Sequence, residues 1–118
     1  MFDAQLLMSD GVSPTVVYSP WMARGADNAV FTVELIAMES GGKITVDVFH
    51  KNSEDVGDGT VFSGVSLVRN SEGRSSDTWS GLKELVRYRI KCQSDFIDSP
   101  AWILFRMLSP VWFDDVLA

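Results

Sequence analysis

A chain of 118 residues with 46% apolar and 22% charged side chains can bury an ordinary hydrophobic core as one domain, without a metal or disulfide to hold it. Ten Lys and Arg against sixteen Asp and Glu give a net charge of −6, which argues against a generic nucleic-acid binder, because affinity for phosphate backbones needs concentrated cations. The one cysteine, Cys92, excludes an internal disulfide scaffold, and no uninterrupted apolar stretch has the length of a membrane-spanning helix.

The first residues, Met1-Phe2-Asp3-Ala4-Gln5-Leu6, lack the basic region that precedes a secretory apolar segment. Synthesis in the cytoplasm is expected, in keeping with a subunit of a virus-like or shell particle. Tyr18-Ser19-Pro20-Trp21 forms an aromatic and proline knot, followed by Arg24-Gly25-Ala26-Asp27-Asn28. Glycine and Asx chemistry there predicts a turn that feeds the next strand, with Arg24 and Asp27 paired to each other or across a subunit contact.

From Val30 to Met38 the chain alternates, with Phe31, Val33, Leu35 and Ala37 on one face and Val30, Thr32, Glu34, Ile36 and Met38 on the other. Lys43 to His50 alternates too, with Ile44, Val46 and Val48 in phase. Gly41-Gly42 between them predicts a hairpin with a primed two-residue turn, in which Leu35 faces Val48, Ala37 faces Val46 and Glu39 faces Ile44. The hairpin's other face mixes Val30, Ile36, Met38 and Phe49 with Thr32, Glu34, Thr45 and Asp47. That is too apolar for a solvated face, so another segment or molecule is expected to cover it.

The link Asn52 to Thr60 is rich in turn residues and acids, and Glu54, Asp55 and Asp58 are its candidate calcium ligands. It lacks the alternating ligand order and closing glutamate of an EF-hand, and a solvated loop is the competing reading. Val61 to Val68 predicts a strand with Gly64 as a bulge, and Arg69 to Asp77 a second polar link. A short helical turn is expected at Trp79 to Leu82. From Leu85 onward the two-residue period of Val86, Tyr88, Ile90 and Cys92 outweighs a helical stripe and predicts a strand. Cys92 then reads as a buried, inert thiol, and Arg87, Arg89 and Lys91 line the opposite face, where they meet carboxylates or solvent.

All four prolines follow serine, at Pro14, Pro20, Pro100 and Pro110. Each pair holds its serine extended and breaks helices, which predicts strand boundaries or edges. Near the C-terminus Ile103, Phe105 and Met107 fall on one face and Trp102, Leu104 and Leu108 on the other, the pattern of a strand covered on both sides. The stretch Pro110 to Ala118, apolar apart from Asp114-Asp115, is expected to dock on its own domain or a neighbour.

Nothing resembles a nucleophile elbow, a phosphate loop, paired zinc cysteines or His-Glu-x-x-His. The only histidine, His50, reads as a polar residue at a loop edge. No enzymatic activity and no cofactor are expected. Residues 1–118 are expected to form a single all-β domain, a two-sheet antiparallel β-sandwich of jelly-roll or immunoglobulin-like type with about seven or eight strands. The function expected is a structural subunit that assembles with copies of itself or coats a larger particle: a capsid, a capsid decoration, a shell or a filament. Its candidate interface residues are Tyr18, Trp21, Arg24, Asp27, Trp112, Phe113 and Leu117. The alternative is a carbohydrate- or ligand-binding sandwich with exposed aromatic rings, calcium-dependent if the acidic link holds the ion. Neither reading includes a nucleic-acid partner or a membrane span.

Overall fold

The computed structural model describes residues 3–57, 59–61, 66–94 and 99–114. In chain order the strands are β1 (Gln5–Ser9), β2 (Thr15–Tyr18), β3 (Met22–Ala23), β4 (Asn28–Met38), β5 (Gly42–Lys51), β6 (Thr60–Val61), β7 (Leu67–Arg69), β8 (Gly73–Trp79), β9 (Leu85–Ser94), β10 (Ala101–Met107) and β11 (Val111–Phe113). They pair antiparallel in two sheets packed face to face. No helix occurs among the described residues, so the expected helical turn at Trp79 to Leu82 is absent. There Gly81 takes a φ of 71°, and the Leu82 N–H donates to the Asp27 carbonyl at 2.9 Å, tying the segment to the start of β4.

Several strands are pieces of one interrupted line. Ala29 and Val30 of β4 pair with β11 and also with β8, while Val33 and Leu35 pair with β10 and also with β8. Hence β10 and β11 run along the same side of β4. By the same logic β2 and β3 share one side of β9, and β6 and β7 share the side of β5 that faces away from β9. Counting each interrupted line once turns eleven segments into eight positions. The first sheet then reads first, eighth, third, sixth, and the second reads second, seventh, fourth, fifth. This interleaving is the jelly roll. An immunoglobulin sandwich would set its first two strands side by side in one sheet, whereas β1 and β2 lie in different sheets.

The core is built by alternation. Ala29, Phe31, Val33 and Leu35 from β4 and Ile103, Phe105 and Met107 from β10 meet Ile44, Val46 and Val48 from β5 and Val86, Tyr88, Ile90 and Cys92 from β9. Phe31 is the hub. Its ring makes edge contacts with Trp79 at 5.3 Å, Tyr88 at 5.4 Å and Trp112 at 5.8 Å. Each such pair contributes about 0.5–1.5 kcal/mol beyond its buried area. All four Ser-Pro pairs fall at strand boundaries: before β2, between β2 and β3, before β10 and before β11.

The expected hairpin is not formed. β4 and β5 belong to opposite sheets, and Leu35 pairs with Phe105 while Val48 pairs with Tyr88. Glu39 to Gly42 is a tight crossing turn in which the Gly42 N–H donates to the Glu39 carbonyl at 2.9 Å. Gly41 alone of the two glycines has a positive φ, 87°, as a type II turn requires at its third position. Alternation is satisfied in either arrangement, because both send Phe31, Val33 and Leu35 and Ile44, Val46 and Val48 into the core. The expected phase also breaks at Ile36. The register passes from Leu35 opposite Phe105 to Ala37 opposite Leu104, so Ile36 is a bulge, Ala37 turns outward and Met38 packs on the core.

Two further expectations change. Most of the second polar link is the edge strand β8, whose Arg74, Ser76 and Thr78 are exposed. The strand expected over Val61 to Val68 is seen as the end of β6 and the start of β7, and Gly64 lies outside the described residues. Among the described residues, no helix is long and apolar enough to cross a membrane.

Candidate functional site

Two outer faces carry the residues of interest. On the second sheet, β9 directs Arg87, Arg89 and Lys91 outward, and β5 directs Lys43, Asp47, Phe49 and Lys51 to the same side. Tyr18 joins them from β2, opposite Arg89, and Trp21 from the short link before β3. The Arg87 guanidinium lies 4.5 Å from the Tyr18 ring centre, 4.7 Å from Trp21 and 5.6 Å from Phe49. Lys51 stands 4.7 Å over Trp21, and Arg89 stands 5.0 Å over Phe49. Cation–π contacts of this kind contribute about 0.5–2 kcal/mol each, depending on desolvation. They also occupy the ring faces, so Tyr18 and Trp21 make a poor stacking platform for a sugar. The apolar component of this outer face, Phe49, is thus covered by the chain's own arginines.

Asp47 anchors the cations and is only 7% exposed. Its Oδ2 accepts from Arg89 Nη2 at 2.6 Å and Nε at 3.1 Å, with Lys91 Nζ at 3.9 Å. Its Oδ1 accepts from the Ser66 hydroxyl at 2.5 Å. Burial by itself would raise the Asp47 carboxyl, but hydrogen bonds from Ser66 and Arg89, with the charges of Arg89 and Lys91, hold it below its ordinary 3.8.

The other expected interface residues lie elsewhere. Arg24 Nη1 is 3.2 Å from Asp27 Oδ1 and also donates to the Leu82 carbonyl, so this pair ties one turn to another within the chain. Trp112, on β11, packs on Phe31 and passes so close to Gly25 that a Cβ there would stand 2.5 Å from its ring. Phe113 is 38% exposed beside the start of β4. Leu117 lies outside the described residues, and Tyr18, at 50% exposure, is the most open of the aromatic candidates. The expected set is therefore divided: Tyr18 and Trp21 belong to the cationic face, and Arg24, Asp27, Trp112 and Phe113 to one end of the sandwich.

In the acidic link, Asp55 Oδ2 accepts from the Asn52 N–H at 2.9 Å and the Asp55 N–H donates to the Asn52 carbonyl at 3.0 Å, so the carboxylate closes a turn. Glu54 points to solvent, and Asp58 is outside the described residues. Lys51 Nζ donates to the Gly57 carbonyl at 2.9 Å, putting a cation where a calcium ion would need oxygen. Among the described residues no three His, Cys, Asp or Glu gather closely enough to hold a metal. His50 Nδ1 accepts from the Lys83 N–H at 3.2 Å, and burial, then the Lys83 charge, lowers its pKa. Burial pushes the Cys92 thiol up to about 11.

On the outer face of the first sheet, sequence reasoning singled out the β4 and β10 residues but missed Leu6 and Met8. Register puts Leu6 opposite Leu104 and Met8 opposite Trp102, and Leu6 and Met8 are 58% and 62% exposed. With Trp102 they line a shallow apolar depression on the edge strand β1 and its neighbour β10. Ile36, pushed out by its bulge, is exposed on the same sheet. The expectation that β10 is covered on both faces therefore holds only in part within the chain: Trp102, Leu104 and Leu108 are partly buried. The signal was Leu6-Leu7-Met8, three consecutive apolar residues in a strand that cannot all face inward. Farther along the face the surface turns polar, where Glu34 accepts from Arg74 Nε at 2.9 Å and Arg106 Nε at 2.7 Å.

These features define an antiparallel jelly-roll sandwich with an apolar patch on one outer face and a cationic cluster on the other. Compared with known protein families, curated proteins and solved structures, the chain matches none of them.

Proposed function

We propose that this protein is a non-enzymatic structural subunit that associates with copies of itself, as in a capsid, a capsid decoration, a shell or a filament. The carrying observation is the outward cluster of Leu6, Met8 and Trp102. One exposed leucine is ordinary, but adjoining apolar side chains on a surface mark a contact site. The cluster rests on hydrogen-bonded strands, so little chain would need ordering when a partner docks. The fold itself is neutral, since jelly rolls serve capsids, lectins and cupins alike.

The test is the solution mass by light scattering, with and without a calcium chelator. The expected result is a species several times the 13.1 kDa chain, indifferent to the chelator and reduced to a monomer in the Leu6→Glu/Met8→Glu variant, with the melting temperature unchanged. A native monomer at every concentration would overturn self-association. Chelator-dependent mass would favour the calcium-dependent binding module instead.

A further inference from the structure

The charge of the described residues is segregated. Among them, Lys43, Lys51, Arg87, Arg89 and Lys91 share the outer face of the second sheet with one carboxylate, Asp47. Setting these six aside leaves five cations and eleven carboxylates among the described residues. A face of formal charge +4 thus sits on a described remainder of −6. The cations are held in place, Arg87 by Tyr18 and Trp21 and Arg89 by Asp47, so a partner would lose little affinity to ordering them.

The complementary surface lies at one end of the sandwich. There the link before β4, the link after β5, the link before β9 and the end of β11 converge, bringing exposed Asp27, Glu54, Asp55, Glu84 and Asp114 together with Arg24 and Lys83. These links brace one another. The Arg24 N–H donates to the Glu84 carbonyl at 2.9 Å, and the Ser53 N–H to Glu84 Oε1 at 3.2 Å.

We infer that the cationic outer face of the second sheet receives the acidic loop end of a second copy of this chain, a contact that deepens the self-association proposed above and rests on it. The two surfaces adjoin only at Lys51, whose Nζ reaches the Gly57 carbonyl; Lys43, Arg89 and Lys91 lie farther along their strands, away from the acidic end of the same chain. A face-to-end contact is heterologous, so repeating it builds a ring if the rotation closes and a filament if it does not. An extended polyanion fits less well, because along its length it would meet the remainder, whose described residues sum to −6.

The experiment is light scattering in low and high salt on the native chain and two charge-reversed variants. Lys43→Glu/Lys91→Glu neutralises the face, from a formal +4 to 0, while leaving the stacked arginines, and Glu54→Lys/Asp114→Lys reverses the end. Circular dichroism confirms folding, and Lys43→Glu alone serves if Lys91→Glu, beside Asp47, unfolds the chain. The association constant is expected to fall about ten-fold or more between about 50 mM and about 500 mM salt, as screening shortens the reach of exposed charges. Each variant alone loses this contact, and an equimolar mixture of the two restores one such contact per pair, giving a heterodimer through it and no longer array. Assembly that ignores salt and both variants but is lost in Leu6→Glu/Met8→Glu overturns this contact and leaves self-association standing. A native monomer in low salt overturns both. Binding of heparin by a native monomer, abolished by Lys43→Glu/Lys91→Glu, overturns the contact by assigning the face to an external polyanion.

Discussion

Tyr88 offers a paired test of the core, because its two polar groups are treated oppositely. Its side chain is fully buried, and its hydroxyl makes no hydrogen bond among the described residues. Burial accordingly pushes the phenol above its ordinary 10. Its backbone N–H, by contrast, donates to the Ser19 hydroxyl oxygen at 2.8 Å, and the Ser19 N–H donates to the Tyr88 carbonyl at 3.0 Å. An unpaired buried hydroxyl costs about 1–3 kcal/mol, so Tyr88→Phe is expected to stabilise the fold by that order. Unfolding entropy of about 2.1 cal/mol/K per residue gives about 0.25 kcal/mol/K for a chain of this length, so Tm should rise by about 4–12 °C. Ser19→Ala orphans the Tyr88 N–H and should lower Tm by a similar amount, about 4–12 °C. Calorimetric melts of the native chain and both variants at neutral pH decide the matter. A Tyr88→Phe variant that melts lower than the native protein would refute the reasoning, since the hydroxyl would then have a partner worth keeping.

The ion pair, the thiol and the closest glycine give three more tests. Asp47→Asn should cost about 2 kcal/mol at neutral pH, read from denaturant midpoints, because Arg89 loses its charged acceptor. Since the folded carboxyl titrates below 3.8, its contribution is complete above that value and is lost as pH falls through the lower folded pKa; the native advantage over Asp47→Asn should shrink in that acid range. Cys92, buried and with its pKa raised to about 11, should resist thiol reagents at pH 8 in the native protein and react fully in denaturant. Labelling of the native chain as fast as a free thiol would contradict that burial. Gly25→Ala puts a methyl group 2.5 Å from the Trp112 ring; it should cost about 1–3 kcal/mol and shift tryptophan emission as the ring moves out.

Alternation made β9, β10 and the two core faces legible, because a buried face every second residue is written directly in side-chain type. The same signal is blind to which sheet a strand joins. Val33 and Val46 point into one core whether their strands lie side by side or face each other, and only the type II turn at Gly41 separates the cases. β8 escaped because Arg74, Ser75, Ser76 and Asp77 form an edge strand with little buried surface, and their composition matches a loop. Trp112 could be read as an interface anchor because type alone does not tell which way a tryptophan points; β11 turns it onto Phe31. The stacking of Arg87 with Tyr18 and Trp21 joins residues far apart in sequence, and no local spacing announces it.

The interleaved strand order also governs when the protein can fold. β1 pairs with β10, putting Gln5 opposite Phe105, and β2 pairs with β9. These closures span most of the chain, so they come at a high loop entropy and place the domain among slow folders. During synthesis β1 lacks its β10 partner until the chain has been made through Phe105. Leu6-Leu7-Met8 therefore waits in the open while everything between the two strands is translated, an apolar strand with both edges unpaired and an invitation to neighbouring nascent chains. A circular permutant that begins at β2 and carries β1 after the C-terminus would make both strands of that pair at nearly the same moment.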